Sequence, residues 1–210
     1  VSDVEDIMRL LSVLVYPHRS LRADTATLAA NRLGQSGLWR YGVSGDYPIL
    51  LVRVAREENV PLVRELLRAH AYWRDRQIEI DLVILNQKAS GYAQELGDQL
   101  SQVITQMDSE AWLNRRGGIF VVGADQMDEA SRVLLQTAAR AVLDAGEGSL
   151  HDQVQGLLER PTALPALQPT GGAREAEPTP VVERPDDLQF DNDFGGFTTD
   201  GREYVVYLES

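Results

Sequence analysis

The residues able to do chemistry are dispersed along the chain. His18, His70 and His151 stand in different segments, and none has a second ligand at helical or strand spacing. Neither a zinc site nor a Ser-His-Asp arrangement can be assembled from them. The absence of cysteine excludes disulfides, thiolate metal ligands and thiol nucleophiles. Asp191, Asp193 and Asp200 have the acidic look of a calcium loop, but Gly195 falls at the fifth position. Arg202 falls at the twelfth, where its charge opposes the ion. Adjacent acids such as Glu57-Glu58 and Asp186-Asp187 are expected as solvated runs among 32 acidic side chains, so no glycosidase-type carboxylate pair is nominated. No catalytic residue, cofactor-binding residue or metal ligand follows from the sequence, and no cofactor is expected.

Two groups of residues remain as contact candidates. Ligands on open parallel sheets sit beyond the carboxyl ends of the strands, which here points to Arg56, Asn86, Lys88 and Asp125. Local structure offers a simpler account of three of them: Asp125 as a helix cap, Asn86 as a turn former, Lys88 as a solvated loop charge. Aromatic residues are the second group. Trp39, Tyr41, Trp73 and Trp112 could stack on a pyranose, yet Trp73 falls on a buried stripe and belongs to a core. Trp39 and Tyr41, two apart in an extended approach to the first strand, would share a face and serve either a domain contact or a sugar contact. A nucleotide site has little support. The turn Ala55-Arg56-Glu57-Glu58-Asn59 after the first strand has no glycine for a pyrophosphate, and Gly42-Val43-Ser44-Gly45-Asp46 precedes the strand and is followed by no Gly-Lys-Ser/Thr.

The elements that must position these residues are read from periodicity. Residues 2 to 15 and 21 to 34 predict two helices separated by Pro17, the first with Val4, Ile7, Met8 and Leu11 at helical spacing. A branched, apolar run predicts a first strand at 48 to 54. Asn59 can cap a helix with Pro61 in its first turn and a stripe of Val63, Leu66, Leu67, His70 and Trp73. Ile78 to Leu85 predicts a second strand, after which Ser90-Gly91 leads to a helix with Leu96, Leu100, Val103, Ile104 and Met107 on one side. Gly117-Gly118 precede a third strand, Ile119 to Val122, and Asp125 can cap a helix from Met127 to Leu143 that ends at Gly146. Three strands, each followed by a helix, give a right-handed βαβαβα unit with a parallel sheet.

Composition divides the chain further. With 210 residues and 43% apolar side chains, one packed domain with appendages is expected. Residues 1–37 form an N-terminal helical segment and 38–158 a small three-layer α/β domain, closed by a short helix that Ser149 and Asp152 start. Six of the nine prolines fall between Glu159 and Asp187, so 159–187 reads as a linker. Residues 188–210 hold two strands, Leu188 to Phe190 and Arg202 to Leu208, joined by the turn-rich stretch 192–201; so short a hairpin should belong to a larger sheet. The net charge of −12 repels phosphate backbones, which argues against nucleic acid as a partner. No stretch approaches the ~20 apolar residues that cross a bilayer, so direct membrane contact by this segment is not expected. The non-methionine start and the finish in an apparent strand suggest a fragment, with the cytoplasm as the expected compartment.

Two blocks carry a family resemblance. The first is Leu33-Gly34-Gln35-Ser36-Gly37-Leu38-Trp39-Arg40-Tyr41-Gly42-Val43-Ser44-Gly45-Asp46-Tyr47-Pro48-Ile49, with Asp81-Leu82-Val83-Ile84-Leu85-Asn86 and Gly117-Gly118-Ile119-Phe120. The second is Asn192-Asp193-Phe194-Gly195-Gly196-Phe197 with Asp200-Gly201-Arg202-Glu203-Tyr204. Together they resemble the connecting region of cyclic β-1,2-glucan synthases, between a first β-sandwich and the start of a cellobiose-phosphorylase-like module with its own sandwich. The resemblance implies a parent anchored in the bacterial inner membrane that transfers glucose from UDP-glucose, closes the glucan into a ring and adjusts its length by phosphorolysis. For this piece it implies a noncatalytic position between modules, with neighbouring domains as partners and β-1,2-glucan as a candidate ligand. The family's turn is of the Asn-Gly-Leu-Gly-Gly-Phe type; here Asp193 and Phe194 stand for its Gly and Leu. If that Gly holds a positive φ, the turn is altered.

Overall fold

The computed structural model describes residues 2–88, 93–157, 185–192 and 194–206. The chain divides into two compact units, Val1–Thr162 and Ala163–Ser210. Ser90-Gly91 and nearly all of the linker expected at 159–187 lie outside the described residues.

The first unit is an α/β fold built on a four-stranded, all-parallel sheet. Its strands are β1 (Ile49–Val54), β2 (Asp81–Asn86), β3 (Ile119–Gly123) and β4 (Ala141–Asp144), in the order β3-β2-β1-β4. The helices are α1 (Ser2–Val15), α2 (Thr25–Ala30), α3 (Val60–Arg74), α4 (Ala93–Gln106), α5 (Glu129–Ala138) and α6 (Leu150–Val154). Because side chains alternate across a strand, the sheet feeds two cores. Leu50, Val52, Val54, Leu82, Ile84 and Leu143 meet α1, α3, α4 and α6 on one face. Ile49, Leu51, Val83, Leu85, Phe120 and Val122 meet Leu134 and Leu135 of α5 on the other, together with Leu38 and Val43. β1 and β2 are buried on both faces, which is why they read as nearly unbroken apolar runs.

β4 was not foreseen. A helix from Met127 to Leu143 was expected, but α5 is capped by Asp128 and not Asp125, and it ends at Ala138. Ala139 turns to extended backbone (φ −60°, ψ 132°), and Ala141 to Asp144 pair with Leu50 to Arg53 of β1. The alanines of this stretch favour a helix intrinsically, yet the open edge of β1 offers a ladder of hydrogen bonds and a place for Ala141 and Leu143 in the core. The three-strand unit thus gains a fourth strand on the opposite side of β1.

Smaller corrections have local causes. α1 buries Ile7, Leu10, Leu11, Val13 and Leu14, whereas Val4 and Met8 face outward. The helix expected at 21 to 34 is only Thr25–Ala30, capped by Asp24, with 3-10 turns at Arg19–Leu21 and Gln35–Tyr41 on either side. β2 begins at Asp81 rather than Ile78, because the chain leaving α3 first passes through a positive φ at Gln77 and returns an Ile78 N–H bond to Trp73 O. β1 begins at Ile49 and β3 runs one residue longer, to Gly123. The α3 stripe, the buried Leu96, Leu100, Val103 and Ile104 of α4, and the Ser149–Asp152 capping box of α6 are as expected.

Entry into β3 is held by a cluster no local pattern announces. Gly117 has φ +65°, and a Cβ on Gly118 would lie 2.2 Å from Trp112 O. Asp81 Oδ1 accepts the Gly117 N–H at 2.8 Å, while His70 Nε2 lies 3.0 Å from Ile80 O and 3.1 Å from Gly117 O. Both carbonyls are acceptors, so Nε2 carries the proton and donates. Burial pushes the Asp81 carboxyl up to about 6, and burial pulls His70 down to about 4.

In the second unit, β5 (Gly195–Phe197) and β6 (Tyr204–Val206) form an antiparallel pair, with Phe197 and Tyr204 edge to face at 4.8 Å. A strand therefore lies within the stretch expected to be turn alone. The segment expected as a strand at 188 to 190 makes one isolated bridge, Gln189 with Phe197. Phe190 and Phe194 are exposed.

Candidate functional site

The carboxyl ends of the strands bring some of the sequence candidates together and separate others. Asn86 ends β2, and Asp125 lies in the 3-10 turn Ala124–Gln126 that follows β3. Both line a cleft of about 380 Å³ with Gln94, Gly97, Val121, Gly123 and Gln126. Asn86 is buried, and its Oδ1 accepts the Lys88 N–H at 3.0 Å, the turn-forming bond its residue type suggested. Asp125 lies over Gly123, whose added Cβ would sit 2.4 Å from Asp125 Oδ1. The cleft thus offers amides and one carboxylate: hydrogen bonding, but no nucleophile.

Lys88 does not line this cleft. Its ammonium bridges Glu57 at 2.7 Å and Glu95 at 3.2 Å, and Gln99 donates to Glu57 at 2.6 Å. The hydrogen bond from Lys88, then that from Gln99, holds Glu57 below the usual carboxylate range, and the bond to Glu57 raises Lys88. Lys88 is therefore a clasp joining the loop after β2 to the turn after β1 and to α4, rather than a solvated loop charge. Arg56 is exposed and paired with Glu58 at 3.1 Å.

In the order β3-β2-β1-β4 the chain reverses direction across the sheet at β1 and β4, the place where open α/β sheets generally take ligands. Here protein fills it. Arg53 pairs with Asp144 at 3.1 Å, and the Gln153 side chain bonds both the N–H and the C=O of Asp144 at 3.2 and 2.9 Å. Gly146 N–H donates to Asp144 Oδ1 at 2.9 Å.

The aromatic pair is also rearranged. Trp39 and Tyr41 lie in the 3-10 turn Gln35–Tyr41 rather than in an extended approach, and at three residues per turn a spacing of two does not share a face. Trp39 is 63% exposed and its indole N–H reaches Ser44 O at 3.3 Å. Tyr41 is half-buried beside Arg40, which holds Asp128 at 2.8 Å and Ser131 at 2.7 Å. Hydrogen bonds from Ser131 and Arg40 bring Asp128 down to about 2. Tyr41 shares a shallow hollow with Asp125 to Asp128, and Trp39 does not contribute to it. Trp73 is in the core, as expected.

Sequence reasoning missed the pairs made by folding alone. His151 Nδ1 meets the buried Asp6 carboxylate at 3.0 Å across 145 residues. His70 and Asp81 meet only through Gly117. A groove at the amino ends of the strands, lined largely by residues of the first resemblance block, has no motif in the sequence that marks it. Among the described residues no group of three or more His, Cys, Asp and Glu could hold a metal ion, and no helix is long and apolar enough to cross a membrane.

No protein-family model matches the chain. It is 37% identical over 203 residues to the cyclic beta-(1,2)-glucan synthase NdvB of Rhizobium meliloti; the match covers 93% of this chain and 7% of that protein. The chain thus spans a small fraction of the length of the curated relative it matches, and over nearly all of its own length it is a sequence relative of a segment of cyclic β-1,2-glucan synthase.

Proposed function

We propose that this chain serves as a noncatalytic α/β connector within a cyclic β-1,2-glucan synthase, holding two carbohydrate-handling modules at a workable separation. The observation that carries this reading is the filled reversal point of the sheet, where Arg53, Asp144 and Gln153 bond to one another in the place a ligand would take. Lys88, two residues past the end of β2, is committed to Glu57 and Glu95. Neighbouring domains of the parent are the partners in this reading. The parent would draw glucose from UDP-glucose and trim its product by phosphorolysis, from a position at the inner membrane. Tethering of two modules in one chain raises the local concentration of a growing glucan near the next module.

The test is an assay of the purified chain by calorimetry and by phosphate release or consumption, with β-1,2-glucan plus phosphate, with glucose 1-phosphate, and with UDP-glucose. A cooperatively melting protein without turnover is the expected result; turnover with any of them refutes the connector. The cleft containing Asn86 and Asp125 favours a second reading, an independent α/β binding domain. Nucleotide binding lost on Asn86→Ala would support that alternative.

A further inference from the structure

A second recess lies at the opposite end of the sheet from the strands' carboxyl ends. It is a groove of about 550 Å³ at the amino ends of β1 and β4, within the size range of ligand sites. Its walls come from the approach to β1 (Gln35, Asp46, Tyr47) and from the end of α5 and the start of β4 (Thr137, Arg140). The two walls are joined by the Arg140 N–H bond to Ile49 O at 2.8 Å.

The polar groups are fixed before any ligand arrives. Gln35 Nε2 donates to Ser44 O at 2.8 Å and to Asp46 Oδ1 at 3.2 Å, and Arg116 holds Asp46 Oδ2 at 3.0 Å. The Tyr47 hydroxyl is bonded to Glu79, which raises its pKa, and the Arg116 guanidinium lies 5.2 Å from the centre of the Tyr47 ring. Arg140 is different: it is exposed and makes no side-chain hydrogen bond or ion pair with another described residue. The groove therefore sets a carboxylate that can accept further bonds and an uncommitted guanidinium fork beside an aromatic ring and the exposed Leu33.

We propose that this groove binds a neutral polyhydroxylated ligand, a β-linked glucose oligosaccharide. Asp46 opposes an anion and Arg140 opposes a cation, while vicinal hydroxyls can donate to the first and accept from the second. Tyr47 and Leu33 offer apolar surface to the C–H face of a pyranose. The choice of glucose as the sugar rests on the connector reading; the groove and its mixed donors and acceptors do not.

The experiment is an amide chemical-shift titration of the full 210-residue chain with linear β-1,2-linked glucose oligosaccharides, with inorganic phosphate and UDP as anionic probes. Shifts are expected at Gln35, Tyr47, Thr137 and Arg140. Arg140→Ala and Asp46→Asn, both at exposed positions, should each weaken binding about tenfold, near 1.4 kcal/mol, while Trp39→Ala leaves it unchanged. Absence of any shift at saturating oligosaccharide, shifts confined to Asn86 and Asp125 or to Trp39 and Tyr41, or full affinity in a folded Arg140→Ala variant would each overturn the assignment. So would tighter binding of phosphate or UDP than of oligosaccharide. Failure here leaves the connector standing, since that reading falls on turnover and not on binding.

Discussion

Asp81 and His70 give the protein an unusual proton balance that Asp81→Asn should expose. In the folded chain Asp81 is 0% exposed and His70 1%, and they hold the two peptide groups that flank Gly117, Asp81 accepting its N–H and His70 donating to its C=O. Asp81 titrates at about 6 in the fold against 3.8 when unfolded, a difference of about 3 kcal/mol. Because its folded value is raised, the fold is favoured by protonation: stability from this group is low above pH about 6 and rises as pH falls toward 3.8. His70 works in the opposite sense. Its folded value is about 4 against 6.5 unfolded, so stability is full above pH 6.5 and is lost, again by about 3 kcal/mol, as pH falls toward 4. At pH 5 the folded chain carries its proton on Asp81 and the unfolded chain carries its proton on His70. Proton uptake is equal in the two states, and this pair adds no slope to the stability profile between pH about 4.5 and about 5.5. Asp81→Asn removes one side of the balance, so the variant should lose about 1.4 kcal/mol per pH unit relative to wild type on acidification across that window. His70→Gln, which keeps a side-chain N–H donor, should gain a similar slope of opposite sign. Slopes are the right readout, because an amide NH₂ placed at Asp81 Oδ2, an atom with no hydrogen-bond partner, itself costs about 1–3 kcal/mol at every pH. Urea unfolding of the three proteins at pH 4.5, 5.0, 5.5 and 7.0 measures this directly. Parallel profiles for wild type and Asp81→Asn would refute the argument.

Two comparisons test the packing. Trp73→Ala, at a fully buried position in the first core, should cost about 3–5 kcal/mol in urea unfolding, whereas exposed Trp39→Ala should change stability by less than about 0.5 kcal/mol. Gly118→Ala would place its Cβ 2.2 Å from Trp112 O and should lower the melting temperature, while Gly97→Ala in α4, with nothing within 4 Å, should stabilise by about 0.5–1 kcal/mol.

The parts of the fold legible in the sequence were those with uninterrupted local periods. The branched run of β1 and the Val63-Leu66-Leu67-His70-Trp73 stripe of α3 each carry enough residues to fix element type, and the alternation of strand and helix fixes a parallel sheet. β4 was hidden because Ala138-Ala139-Arg140-Ala141 is as good a helix as a strand until the edge of β1 is there to pair with it. Trp39 and Tyr41 were misplaced for a related reason: their side-chain types suit an extended approach, and the choice of a 3-10 turn lies in Gly42, whose φ of +77° ends it. Asn86 and Asp125 meet because two strand ends are adjacent, which the parallel topology already implied. The Asp6–His151 and Asp81–Gly117 contacts had no signal to find, since each joins residues far apart in sequence whose types are common on any surface.

The distribution of perturbed groups bears on function as well as on stability. Groups with large shifts often mark active sites, because chemistry needs an acid or base moved from its ordinary range and reachable by substrate. Among the described residues the two large shifts caused by burial are Asp81 and His70, and neither is reachable: both face backbone around Gly117 and are sealed from solvent. Asp128 is shifted by holding Arg40 and Ser131, which makes it a cap and a clasp. Two ion pairs near the strand ends, Arg53 with Asp144 and Lys88 with Glu57, are likewise spent internally. Charge in this domain is used to fasten turns and helices to the sheet, so a role for the domain is to be sought where polar groups are held in place yet remain accessible. Asp46, held by Gln35 and Arg116 yet exposed beside Arg140, meets both conditions.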